Sequence, residues 1–294
     1  MTPLLLGLIG VVLALPVPAL LARSSWPYRS PAAAIVMWQS LALAAILAIS
    51  GAGLSTALWL VSQDDPAAWR VVLHVLVLLV GVLVWARFWW AVWTVWRSTG
   101  ARRRRQRELV DLLGEPDGRL PALRVLQHES LVAYCLPDRT QARVVVSSGT
   151  IDRLDDEELR AVLAHERAHV GARHDLVLEG FEFLRAAYPR LLRTDAPLAQ
   201  SRVLVELLAD DAARRVTGDR ALAGAIVTLA GSHAPAGAMG VGSEALLRLE
   251  RLQEPPTRWW ATTLAWTISV VVLVAPTVLL AVPWIAHALD VLLG

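Results

Sequence analysis

A chain of 294 residues with 55% hydrophobic content and a mean hydropathy of +0.49 is too apolar for a soluble protein. It is long enough for one large domain or two ordinary ones. A formal net charge of +2 gives little ground for nucleic-acid binding, and none is expected. The single cysteine, Cys135, excludes an internal disulfide and a Cys-ligated zinc site. Any domain outside the bilayer is therefore expected to be small or of reducing-compartment character. Every basic residue is arginine, and 13 tryptophans stand against 3 tyrosines and 3 phenylalanines, a balance that points to membrane interfaces.

Residues 3–22 are almost wholly apolar. No basic residue precedes them and no small-x-small cleavage site follows, so a retained transmembrane helix is expected rather than a signal peptide. Pro16 and Pro18 should kink it. After a short loop flanked by Arg23 and Arg29, a second apolar run covers 33–61. Gln63-Asp64-Asp65-Pro66 forms an acidic turn, and a third run covers 68–96. The third run ends in Trp85, Trp89, Trp90, Trp93 and Trp96, an interfacial aromatic belt. Within it, His74 reads as a neutral histidine bonded to a neighbouring helix, and Arg87 as a residue that snorkels or pairs near the interface.

Arg102-Arg103-Arg104-Arg105 and Arg107 follow directly. Their position against a hydrophobic helix end reads as a topology anchor, and the positive-inside rule puts them in the cytoplasm. Counting back, the acidic turn lies outside, Arg23 and Arg29 inside, and the N-terminus outside. Residues 1–100 are thus a three-helix membrane region and 101–258 a cytosolic domain. Residues 259–294 are a fourth membrane helix, opened by Trp259-Trp260 with Arg258 on its inner side, and a short extracytoplasmic tail.

The cytosolic domain opens with three short runs, Leu123–Gln127, Leu131–Leu136 and Arg143–Ser147, separated by turn-rich pieces such as Pro137-Asp138-Arg139. They predict a small antiparallel sheet. Asp155 then caps a helix, with Glu158 completing a capping box. Leu159, Val162, Leu163 and Val170 recur at helical spacing. That helix carries His165-Glu166-Arg167-Ala168-His169. Histidines four apart stack on one face and can reach one ion. Zinc suits such ligands, and Glu166 is placed to take a proton from water.

Further helices are predicted at 175–188, limited by Pro189, and at 198–216, 219–231 and 243–253, the last ending at Pro255-Pro256. Phe181, Phe183, Leu184 and Tyr188 could pack in a core or face lipid. A Gly/Ala/Ser-rich loop at 231–243 lacks apolar anchors. A third ligand is needed, and His174, Asp175, Glu179, Glu182 and Glu206 are the candidates. His174 and Asp175 lie so close to His169 that turning back to the metal is hard. Glu206 is preferred because it sits on a separate helix. Asp210 shares its face and could hold a ligating imidazole from outside.

Several stretches together resemble the integral-membrane gluzincin metallopeptidases of the β-lactam sensor-transducer (BlaR/MecR) type. They are Ala133–Leu136, Val144–Gly149, Glu158–His169, Arg173-His174-Asp175 and Glu206–Asp210, with three apolar helices before the domain and one after it. The resemblance implies a mainly α fold, with four transmembrane helices and a cytosolic α+β zincin-like metallopeptidase domain holding a small sheet. It implies zinc on His165, His169 and Glu206, Glu166 as general base and Asp210 behind the ligands. His174 remains a further candidate site residue. In the β-lactam sensors a penicillin-binding domain follows the fourth helix; none follows here, so direct β-lactam sensing by this chain is not expected.

The expected activity is endopeptidase cleavage of a cytosolic protein in signal transduction, with a repressor or the chain itself as substrate. The expected partners are that protein substrate, the lipid bilayer and, in a homodimer, a second copy. One alternative is quality control of membrane proteins or prenyl-protein processing. Another is a non-catalytic signalling scaffold whose structural zinc takes a fourth ligand from His174 or His233.

Overall fold

The computed structural model describes residues 2–61, 67–116, 123–137, 142–188, 194–233, 239–254 and 259–293. Its elements, in order, begin with α1 (Thr2–Ala14), α2 (Pro16–Ala22), α3 (Trp26–Arg29), α4 (Pro31–Val61) and α5 (Ala68–Leu113). The strands β1 (Gly114–Pro116), β2 (Leu123–Leu126), β3 (Ala133–Leu136) and β4 (Arg143–Ser147) follow. Then come α6 (Ser148–Arg153), α7 (Asp156–Gly171), α8 (His174–Ala187), α9 (Ala196–Thr217), α10 (Asp219–His233), α11 (Met239–Gln253) and α12 (Trp259–Leu293). Among the described residues, four helical stretches are long and apolar enough to cross a membrane: Leu4–Ala22, Pro31–Thr56, Ala68–Leu113 and Trp259–Leu279. The acidic turn at 63–66, the turn from 138, Pro189, Pro255-Pro256 and Arg258 lie outside the described residues, as does the centre of the 231–243 loop; helices cover both its ends.

The chain forms two compact units, and α5, α8 and α9 contribute to both. The first comprises residues 2–94, Phe181–Gln200 and 259–293. The predicted kink falls at Leu15, where φ −120° and ψ −73° break the first span ahead of Pro16. α4 is the buried helix, with Trp38, Ala44 and Ala45 at 1% exposure or less, packed by α1 and α12. α5 presents its apolar residues outward, as a lipid-facing helix does.

Phe181 and Leu184 are buried in this unit, so they serve its core. Arg87 donates from Nε to Ala187 O at 3.0 Å and reaches the carbonyls of Ala186 and Tyr188, satisfying the last turn of α8. Gln200, at the start of α9, donates to Ala22 O at 2.8 Å and accepts from Trp38 Nε1 at 3.3 Å. His74 Nδ1 donates to Arg70 O, one turn earlier on α5, at 2.7 Å.

The second unit comprises Val95–Gly180 and Ser201 to 254 of the described residues. Its sheet has the order β1-β2-β4-β3 and is mixed rather than antiparallel. β4 pairs parallel with β2, Val144 opposite Leu123, and antiparallel with β3, Val144 opposite Cys135. A strand pair separated by another strand and a crossover can run parallel, whereas hairpin neighbours cannot. β4 is central and reads Arg-Val-Val-Val-Ser, apolar on both faces. Val145 packs with Val110 of α5 on one face, while Val144 and Val146 pack with Leu159 and Leu163 of α7 on the other. A second core joins Ala161 and Val162 of α7, Ala213 of α9, Leu222, Ala225 and Ile226 of α10 and Leu252 of α11.

Candidate metal centre

α7 starts where its sequence dictates. The Asp155 carboxylate accepts from Glu158 N at 2.8 Å, and Glu158 returns the bond to Asp155 N at 3.2 Å. Three acids in the first turn face the positive helix end. With Ala161 and Val162 fixed in the core, His165, Glu166 and His169 project toward α9.

One ligand-capable atom from each of His165, His169 and Glu206 lies within 4.8 Å of the others. The two Nε2 atoms are 3.1 Å apart, Glu206 Oε2 is 3.2 Å from His165 Nε2, and Oε1 is 3.4 Å from His169 Nε2. Ligand atoms about 2.0–2.2 Å from a tetrahedral ion stand about 3.3–3.6 Å apart, so the donor set fits one small ion. Among the described residues this is the one such cluster.

The surroundings hold these donors. Asp210, 1% exposed and one turn from Glu206 on α9, lies 3.0 Å from His165 Nδ1, although the ring N–H points off the line to the oxygen. Arg248 of α11 grips Asp210 bidentately, Nε to Oδ2 at 2.7 Å and Nη2 to Oδ1 at 2.6 Å, and lies 3.7 Å from Glu206 Oε2. One turn on, Arg251 grips Asp211 the same way at 2.7 and 2.8 Å. These two arginines lock α11 onto α9.

His174, for which turning back to the metal was expected to be hard, turns back as far as His169. Arg173 adopts φ 51°, a left-handed conformation that costs a non-glycine residue about 1–2 kcal/mol. This bend starts α8 at once and brings His174 Nδ1 to 3.0 Å from His169 Nδ1. His174, 4% exposed, thus touches the nitrogen of His169 that faces away from the donor cluster. Glu179, also buried, is not part of the cluster. The side chain of His233 lies outside the described residues.

Electrostatics divide the groups. Burial alone would lower His165, but the Asp210 and Glu206 carboxylates outweigh it and hold the ring at about 9. Burial takes His169 down to about 4 and lowers His174. Burial would raise Glu206 and Asp210, but the nearby His165 ring and Arg248 keep both below the usual carboxylate range. Burial raises Glu166. Cys135 is pushed to about 12, first by burial and then by the Glu166 charge. Sequence reasoning missed Arg248 and Cys135. The signal for Arg248 was the pair Asp210-Asp211 matched by arginines three apart on a later helix.

A cleft of about 280 Å³ opens beside the donors. Ala133 of β3, Glu166, Glu206 and Arg248 line one part, and Val162, Leu222, Ile226 and Leu229 an apolar part.

Two relatives named "Protease HtpX homolog", from two strains of Bacteroides fragilis, are each 36% identical to this chain over 110 residues. The match covers 33% of this chain and 33% of each relative, so the chain spans a third of the length of the curated relatives it matches. No solved structure gives a significant match. A model described as peptidase family M48 matches residues 97–254, more than half of the chain and all of the cluster just described. The chain belongs to peptidase family M48.

Proposed function

We propose that this chain is a membrane-embedded, zinc-dependent endopeptidase whose catalytic domain faces the cytoplasm. The observation that carries the reading is the meeting of His165, His169 and Glu206 at 3.1–3.4 Å with Glu166 beside them on the same cleft. Three protein donors leave one position for water, the pattern of a catalytic rather than a closed structural site. His174, one of the two histidines a closed site could draw on, engages the other nitrogen of His169.

A zinc ion held there supplies Lewis acidity, lowering the pKa of water and polarising a carbonyl. The chain's own residues do the rest. His165, His169 and Glu206 hold the ion, and Asp210 with Arg248 keeps His165 in place. Glu166, with its proton affinity raised by burial, takes the proton of the attacking water and passes it to the leaving amine. β3 is an edge strand of the sheet and Ala133 lines the cleft, so an extended substrate can add to that edge by backbone hydrogen bonds. The apolar part of the cleft suits an aliphatic or aromatic side chain next to the scissile bond.

The substrate is a protein. One reading is a cytosolic repressor or the chain itself, as in the sensor-transducers. The other is a range of membrane proteins, which the four apolar helices on the same chain support. A pull-down with Glu166→Gln, which should hold substrate without cutting it, separates them: one soluble protein, or many membrane proteins. Recovery of neither, with wild-type cleavage retained by the variant, would overturn the endopeptidase assignment.

A further inference from the structure

Of the four consecutive arginines after the third apolar run, one differs from its neighbours. Arg102, Arg104 and Arg105 are exposed, Arg104 at 81% and paired with Glu108 one turn on. Arg103 is 24% exposed and turns inward. Its Nη1 lies 3.3 Å from Asp175 Oδ2 and its Nη2 3.1 Å from Glu179 Oε2. Those carboxylates are 12% and 6% exposed, one turn apart on the first half of α8. Asp175 directly follows His174, and His174 Nδ1 stands 3.0 Å from Nδ1 of His169. The Arg173 backbone that creates this contact is in the left-handed region, so something must hold the turn where it is.

We propose that Arg103 is a positioning residue for the metal centre: by clamping Asp175 and Glu179 it holds the α7–α8 turn, which seats His174 against His169 and fixes that imidazole for the metal. This rests on the zinc reading above. The logic is that of any ligating histidine whose second nitrogen needs a fixed partner; loss of such a partner costs 10–100-fold in metal affinity. Here the partner is a neutral imidazole, itself held by a charge clamp from another helix. The clamp residue sits on α5, which runs unbroken from Ala68 and carries the third apolar span.

The test uses the full-length chain in detergent, with zinc affinity measured by chelator competition and the cobalt-substituted site followed by its visible spectrum. Arg103→Gln should weaken zinc binding about tenfold or more and alter the cobalt spectrum, Arg103→Lys should recover most of the loss, and Arg105→Gln should match wild type. Arg103→Gln removes one guanidinium from two buried carboxylates, although Arg173 Nε still lies 3.4 Å from Asp175 Oδ1, and could fail to fold. Arg103→Met/Asp175→Asn/Glu179→Gln removes that penalty and should fold, still binding zinc about tenfold more weakly. Wild-type zinc affinity in either folded variant would overturn the proposal. A wild-type chain that binds no zinc would instead sink the metal reading on which it rests.

Discussion

Asp210 is the residue on which the integrity of the site turns. Asp210→Asn changes one atom of a side chain that is 1% exposed, touches His165 Nδ1 at 3.0 Å and accepts two bonds from Arg248. Breaking a buried ion pair from one side costs about 3–5 kcal/mol. Arg248 keeps 19% exposure and a second carboxylate, Glu206, at 3.7 Å, so the loss in stability should be nearer ~2 kcal/mol. The loss in metal affinity has a separate origin. His165 loses the carboxylate behind it, which should cost 10–100-fold, or about 1.4–2.7 kcal/mol. The double variant Asp210→Asn/Arg248→Met separates the two effects. It removes the uncompensated guanidinium and should recover most of the stability, but not the zinc affinity. Unfolding of the detergent-solubilised protein and chelator competition measure the two quantities. Zinc affinity within twofold of wild type in Asp210→Asn, or its recovery in the double variant, would refute the argument.

Other consequences follow from the same geometry. His165 is held at about 9 in the metal-free site, above the ordinary histidine value, so at neutral pH it carries a proton that must leave when metal binds. Apparent zinc affinity should therefore rise about tenfold per pH unit from near 6.5 toward 9, with close to one proton released, as calorimetry in buffers of different ionisation enthalpy would show. The stability contributed by protonated His165 in the metal-free protein is present below about 6.5 and lost as pH rises through 9; a flat profile on both counts would contradict the assignment. Gly149 opens α6 with its N–H on His128 O at 3.0 Å, and a Cβ there would drive into the Glu129 carbonyl oxygen. Gly149→Ala should cost about 1–3 kcal/mol in unfolding experiments. Leu229→Arg should leave zinc content unchanged and lower kcat/KM for peptides with an aliphatic residue beside the scissile bond, because it fills the apolar part of the cleft with charge; unchanged kcat/KM would remove that wall from the binding site.

The centre of the site was legible because local rules suffice there. Asp155 and Glu158 announce the start of α7, apolar spacing fixes its buried face, and the two histidines fall beside that face. Glu206 and Asp210 were readable as one helical face, since i,i+4 spacing survives any tertiary arrangement. What failed to show was everything set by packing between distant elements. Arg248 is 38 residues from Asp210, and the one hint is two adjacent aspartates matched by two arginines three apart on a later helix. Arg103 was hidden inside a run of four arginines that the positive-inside rule reads as a single anchor. β1, Gly-Glu-Pro, has poor strand propensity and forms only because β2 offers it an edge. The parallel pairing of β2 with β4 follows from a crossover that short apolar runs do not encode. α5 was read to 96 and continues to Leu113, since the arginine, glutamate and leucine residues beyond the apolar run are good helix formers.

The central claim is that His165, His169 and Glu206 hold one zinc while Glu166 handles the proton. Zinc content and peptide hydrolysis, measured side by side on purified wild type and Glu166→Gln, test it most directly. The account predicts one zinc per chain in both proteins and cleavage by the wild type alone. Cleavage by Glu166→Gln, or loss of its zinc, would contradict it.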